Sequence, residues 1–141
     1  MPRVLAIADA VSPVIYSTNF PGNLAPFELV LSAGDMPGDV LEFVATKTAA
    51  PLLYVFGNHG YDYLRDPQTG EPRPPGGGTN VHMRLVEAAG LLVVGFEGSL
   101  RYRAGAHQHT PAAYHLMVWR MLPRLLWSRL RHGRAVDVLL T

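Results

Sequence analysis

Residues 27–59 read FELVLSAGDMPGDVLEFVATKTAAPLLYVFGNH, and the order of residue types in this stretch decides the fold class. Phe27–Ser32 and Leu52–Phe56 are short and almost continuously apolar, with no alternation. That pattern belongs to strands covered on both faces, as in a parallel sheet with a layer packed on each side. Between them, Val40, Leu41, Val44 and Ala45 repeat at helical spacing within Pro37–Thr48. Pro37 suits a first helical turn, and Asp39 and Glu42 favour the positive end of the helix dipole. Strand, helix, strand in this order predicts an α/β fold with right-handed crossovers.

Working outward, Val4–Ala8, Leu91–Phe96 and Ala135–Leu140 are further apolar runs of the same kind. Residues 65–80, RDPQTGEPRPPGGGTN, are dense in proline and glycine and predict a long loop. Val81–Ala89 reads as a short helical or mixed stretch ending at Gly90. Tyr114, Met117, Val118, Met121, Leu122, Leu125 and Leu126 mark Pro111–Arg131 as helical. Pro123 within it predicts a kink or two abutting helices.

A chain of 141 residues predicts a single domain spanning 1–141. Hydrophobic residues at 48% supply a core, and charged residues at 16% exclude a disordered chain. A net charge of +1 gives no global electrostatic basis for binding nucleic acid or an anionic membrane. With no cysteine, disulfide scaffolds, thiolate metal sites and cysteine nucleophiles are excluded. No apolar run approaches the roughly 18 residues of a membrane span, so a soluble, cytoplasmic protein is expected.

Three of the strand-like runs end alike. VLAIA leads to Asp9, LVLSAG to Asp35, and LYVFG to Asn58 and His59. In open α/β sheets, ligands sit outside the carboxyl ends of the strands, and side chains leaving adjacent strands converge there. Two converging carboxylates repel, and a divalent cation relieves that repulsion. The plainer reading makes Asp9, Asp35 and Asn58 turn and capping residues.

The order D…GD…GNH, carried by Asp9, Gly34–Asp35 and Gly57–His59, resembles the calcineurin-like metallophosphoesterases. GGGTNVH at Gly76–His82, GSLRYR at Gly98–Arg103 and LPRLLWSRLRHGR at Leu122–Arg134 resemble a bacterial subgroup of that family. The resemblance implies a layered α/β sandwich and hydrolysis of a phosphoester by a metal-bound hydroxide. It implies two divalent cations of the manganese, iron or zinc kind. Asp9 and Asp35 are then metal ligands, Asp35 bridging, and Asn58 is a ligand through its amide oxygen. His59 is the catalytic residue that faces the phosphate. The sequence departs from the family pattern at three places. DxH is here Asp9-Ala10-Val11, and the acid after GNH is Gly60, with Asp62 nearby as a substitute to orient His59. The later metal-binding histidines have no counterpart, so the resemblance implies a sandwich whose carboxyl-terminal half is missing. A non-catalytic descendant, kept as a binding or scaffolding module, is the alternative those departures favour.

Other residues carry two readings each. His82 follows the glycine-rich loop and either lines a substrate pocket or is a partly exposed loop histidine. Arg101 and Arg103 either meet a phosphate, which guanidinium forks suit, or belong to a solvated loop. His107 and His109 read as solvated loop residues, and His115 and His132 as surface positions on a helix. The arginines of Leu122–Arg134 read as the wet side of that helix, with Trp119 and Trp127 on its apolar side. A nucleic-acid partner is the less favoured reading, and the sequence leaves the oligomeric state open.

Overall fold

The computed structural model describes residues 1–59 and 63–141. In chain order the elements are β1 (Val4–Ile7), β2 (Leu29–Ser32), α1 (Gly38–Lys47), β3 (Leu52–Tyr54), β4 (Leu64–Arg65), β5 (Pro72–Arg73), β6 (Gly78–Asn80), β7 (Leu85–Ala88), β8 (Leu91–Gly95), β9 (Ser99–Leu100), β10 (Gln108–His109), α2 (Pro111–His132) and β11 (Val138–Leu140). The mixed α/β class expected from the apolar runs is what forms.

Two sheets carry the core. The first has the order β1-β2-β3-β6 with every neighbour parallel; Leu5 pairs with Val30, Val30 with Leu52, and Leu53 with Thr79. The second has the order β11-β8-β7, with β11 parallel and β7 antiparallel to β8. Alternate residues of the first sheet point to opposite faces, as the pleat requires. Val30, Leu52 and Tyr54 pack against Val40, Leu41 and Val44 of α1. Leu29, Leu31, Leu53 and Val55 pack against Val93 and Leu140 of the second sheet. Val94 and Phe96, on the far side of that sheet, pack against Met121 of α2. The layers therefore run helix, sheet, sheet, helix, which is why β2, β3 and β8 are apolar on both faces.

Both helices have identifiable ends. Gly38–Lys47 begins after Pro37, carries Asp39 in its first turn and Lys47 in its last, and so complements its own dipole. In α2 the Thr110 hydroxyl accepts a hydrogen bond from the Ala113 N–H at 3.2 Å. Gly133, at φ 72°, closes its other end.

Three expectations for local structure are corrected. Residues 65–80 are not all loop, because Gly78–Asn80 forms the fourth strand of the first sheet. Glycine suits position 78 because Leu52 and Tyr54 already fill the space where a side chain would begin. Within Val81–Ala89, Leu85–Ala88 is a strand. Ala89 and Gly90, both at positive φ, make the two-residue turn that folds it back onto β8. Of the two alternatives for Pro123, abutting helices are excluded, because Pro111–His132 is one helix containing it. Proline at 123 leaves the Trp119 carbonyl without its usual N–H partner, and Trp119 is 70% exposed, so water can take that bond. Trp119 and Trp127 do not sit on the packed side of α2; they are 70% and 66% exposed. No helix among the described residues is long and apolar enough to cross a membrane.

Candidate functional site

Because β1, β2, β3 and β6 are parallel, their carboxyl ends share one edge of the first sheet. His82, just past β6, makes a parallel bridge with Gly95 at the end of β8. The carboxyl ends of the first sheet and of β8 and β11 thus open on the same side of the molecule. Asp9, Asp35, Asn58, His59, His82 and Glu97 all lie immediately beyond these strand ends.

The turns that deliver them are tight. Asp9 and Asp35 both adopt left-handed backbone, at φ 57° and 53°, which few side chains other than Asp and Asn take readily. The Asp9 N–H reaches the Gly34 carbonyl at 3.4 Å, joining the ends of β1 and β2. Gly57 has no side chain because a Cβ there would fall on the Asp35 carboxylate. That close approach lets the chain beyond β3 wrap the carboxylate. The His59 N–H donates to Asp35 Oδ1 at 2.8 Å, and His59 Nδ1 lies 3.0 Å from Asp35 Oδ2. The Asp35 side chain is 14% exposed and that of His59 is 43% exposed, so the pair sits at the mouth of the edge. Asp35 fixes the imidazole orientation through Nδ1 and turns Nε2 away from itself. Asn58 Nδ2 donates to the Tyr102 hydroxyl at 2.8 Å. The Asp9 carboxylate is exposed and has no hydrogen-bond partner among the described residues.

A second group is centred on Glu97. Its N–H donates to His82 Nδ1 at 3.1 Å, and its carboxylate oxygen Oε1 lies 3.7 Å from His82 Nε2 and 3.1 Å from His107 Nδ1. Its carbonyl accepts the Tyr114 hydroxyl at 3.1 Å. Burial pushes the His82 imidazole below its ordinary pKa, and His109 and His107 add to this while Glu97 opposes it. Burial and Glu97 together raise the Tyr114 phenol. Because His82 Nδ1 accepts the Glu97 N–H, the neutral Nε2–H tautomer is the one that fits. The two groups are joined where the Gly98 N–H donates to the Phe56 carbonyl at 2.8 Å.

The structure thus brings Asp35 and His59 into contact, with Asn58 beside them and Asp9 on the neighbouring strand end. His82 belongs to the Glu97 group, with both ring nitrogens turned to that residue. Arg101 bonds through its backbone N–H to the His109 carbonyl at 2.9 Å and is exposed. Asp62 and Gly60 lie outside the described residues. His107 and His109 are not solvated. The His107 ring lies beside the stacked rings of Phe56 and Tyr63, with centroids 5.5 and 6.0 Å away, and His109 sets its edge against Tyr114 at 5.3 Å. Glycine at 98 permits this, since a Cβ there would collide with the His107 carbonyl. His115 and His132 are exposed on α2. Glu97 was open to the strand-end rule that finds Asp9 and Asp35, since it follows the apolar run LLVVGF. Tyr102 carries no such signal.

The donors past the strand ends are carboxylate and amide oxygens, which suit hard divalent cations. Both Asp35 oxygens face His59, one its N–H and the other its Nδ1, and a carboxylate oxygen has two lone pairs. Among the described residues no group of three His, Asp or Glu side chains is gathered tightly enough to hold a metal ion by itself. Asp9, Asp35 and Asn58 carry oxygens of that chemistry. No protein-family model, curated protein or solved structure matches the chain.

Proposed function

We propose that the chain is a metal-dependent phosphoesterase, or descends from one, with its site at the shared carboxyl edge of the first sheet. The observation that carries the reading is the Asp35–His59 pair formed by two separate strand ends, with Asn58 and Asp9 alongside. Two acidic residues held at positive φ on adjacent strand ends are strained placements of a kind that clusters at functional sites. In this reading Asp9, Asp35 and Asn58 hold divalent cations of the manganese, iron or zinc kind, which supply positive charge to the phosphate and lower the pKa of water. Asp35 orients His59, whose Nε2 side addresses the phosphoryl group or its leaving oxygen. Arg101, exposed near Tyr102, can approach substrate phosphate as a guanidinium fork. His82 reaches substrate only by giving up a contact with Glu97, so its part is chiefly to fix that residue. The substrate is a phosphoester, with nucleic acid the less favoured case.

A binding module that keeps the fold without turnover is the second reading, favoured by the partial donor set. Hydrolysis of an aryl phosphate in the presence of manganese separates the two. The phosphoesterase reading expects turnover that falls at least tenfold in Asn58→Ala. No turnover supports the binding module, and turnover unchanged in that variant contradicts a site that uses Asn58.

A further inference from the structure

We infer that Tyr102 is a positioning residue for Asn58, committing the amide nitrogen to its phenol so that the amide oxygen is the atom offered to a cation. This rests on the phosphoesterase reading above. An Asn side chain has two chemically opposite ends: the nitrogen only donates, and the oxygen only accepts. A hard cation takes the oxygen and is repelled by the N–H hydrogens. An Asn free to flip presents the wrong end part of the time. Asn58 Nδ2 donates to the Tyr102 hydroxyl at 2.8 Å, which selects one of the two orientations.

The phenol is held for this task, although its residue is 63% exposed. The loop that carries it is closed at its base by the parallel pairing of Ser99 with Gln108 and of Leu100 with His109. Gln108 Oε1 accepts the N–H groups of Tyr102 and Arg103, at 3.3 and 3.2 Å, and so pins the loop tip from inside. The Arg103 guanidinium carbon lies 5.4 Å from the Tyr102 ring centroid and covers one ring face. At the loop's start, the Gly98 N–H donates to the Phe56 carbonyl, two residues before Asn58. The loop is therefore tied to the same strand end that its tyrosine touches. A phenol from beyond the second sheet thereby orients a donor that belongs to the first.

The test uses the whole chain and manganese as the probe. Calorimetric titrations compare the parent, Tyr102→Phe, Asn58→Asp and the double variant. The phenylalanine keeps the ring and removes only the hydroxyl. An aspartate at 58 has oxygen at both ends and needs no orienting. The expected result is that Tyr102→Phe weakens manganese binding about tenfold or more in the Asn58 protein, and changes it little in the Asn58→Asp protein. In the metal-free protein, the Asn58 side-chain amide resonances should move in Tyr102→Phe, with the thermal midpoint nearly unchanged. Equal affinities for the parent and Tyr102→Phe overturn the proposal and leave the phosphoesterase reading standing. Equal losses in both backgrounds also overturn it, since they indicate a general loosening of the loop. If the parent binds manganese no better than Asp35→Ala, the phosphoesterase reading fails and the proposal falls with it.

Discussion

His82 shows how one part-buried ring can tie stability to pH. Its Nδ1 accepts the Glu97 N–H, and protonating that nitrogen breaks the bond and places a cation near His107 and His109. Burial is the larger effect and holds its pKa below the ordinary value, despite the opposing pull of the Glu97 carboxylate. In the unfolded chain the same imidazole titrates near its ordinary value of about 6.5. Between the two values the unfolded chain binds more protons, so stability rises with pH through this window and is lost as pH falls below about 6.5. The slope from one group is at most about 1.4 kcal/mol per pH unit. Urea midpoints taken near neutrality and about two units lower should drop further for the parent than for His82→Gln. Equal drops would show that other groups set the acid response. Among single residues, the strand-end acids were legible because a polar side chain after a buried run needs a reason to be there. Tyr102 was not, because its contact with Asn58 joins residues 44 apart through two different sheets.

At the scale of elements, legibility follows burial. The strands β2, β3 and β8 are covered on both faces, so their sequences are runs of Leu, Val and Ile-like residues. The strand β6 has Gly, Thr and Asn at the edge of the sheet and carries no apolar signature, so only its pairing with β3 reveals it. For Leu85–Ala88, four residues are too few to separate strand from helix by period, and the Ala89–Gly90 turn decides. In α2, Met121 and Leu125 pack on the second sheet to either side of Pro123 and hold the helix together across it. The proline nevertheless removes one intrahelical bond, and alanine restores it. Proline in a helix interior costs about 3 kcal/mol relative to alanine in an unconstrained helix. Pro123→Ala should therefore raise stability, by an amount up to about that figure and less where the helix has already adjusted. Chemical denaturation reads this directly, and a lowered midpoint would mean that the proline shapes a bend the packing of Met121 requires.

The whole molecule explains why separated residues meet. A parallel first sheet puts four strand ends on one edge, and the bridge from His82 to Gly95 brings the end of β8 to the same side. Layering two sheets between two helices fixes those ends against a core that includes Leu31, Leu53, Val55 and Val93. The resulting edge holds a hydrogen-bonded carboxylate–imidazole pair, an amide oriented by a phenol, and a second carboxylate exposed to solvent. In the proposed reading, each of these serves a cation or a phosphate. The most direct measurement is a calorimetric titration of manganese into the 141-residue chain and into its Asp35→Ala variant. A saturable heat in the parent that is lost in the variant is the predicted result. Superimposable heats from the two proteins would contradict a metal-dependent site at this edge.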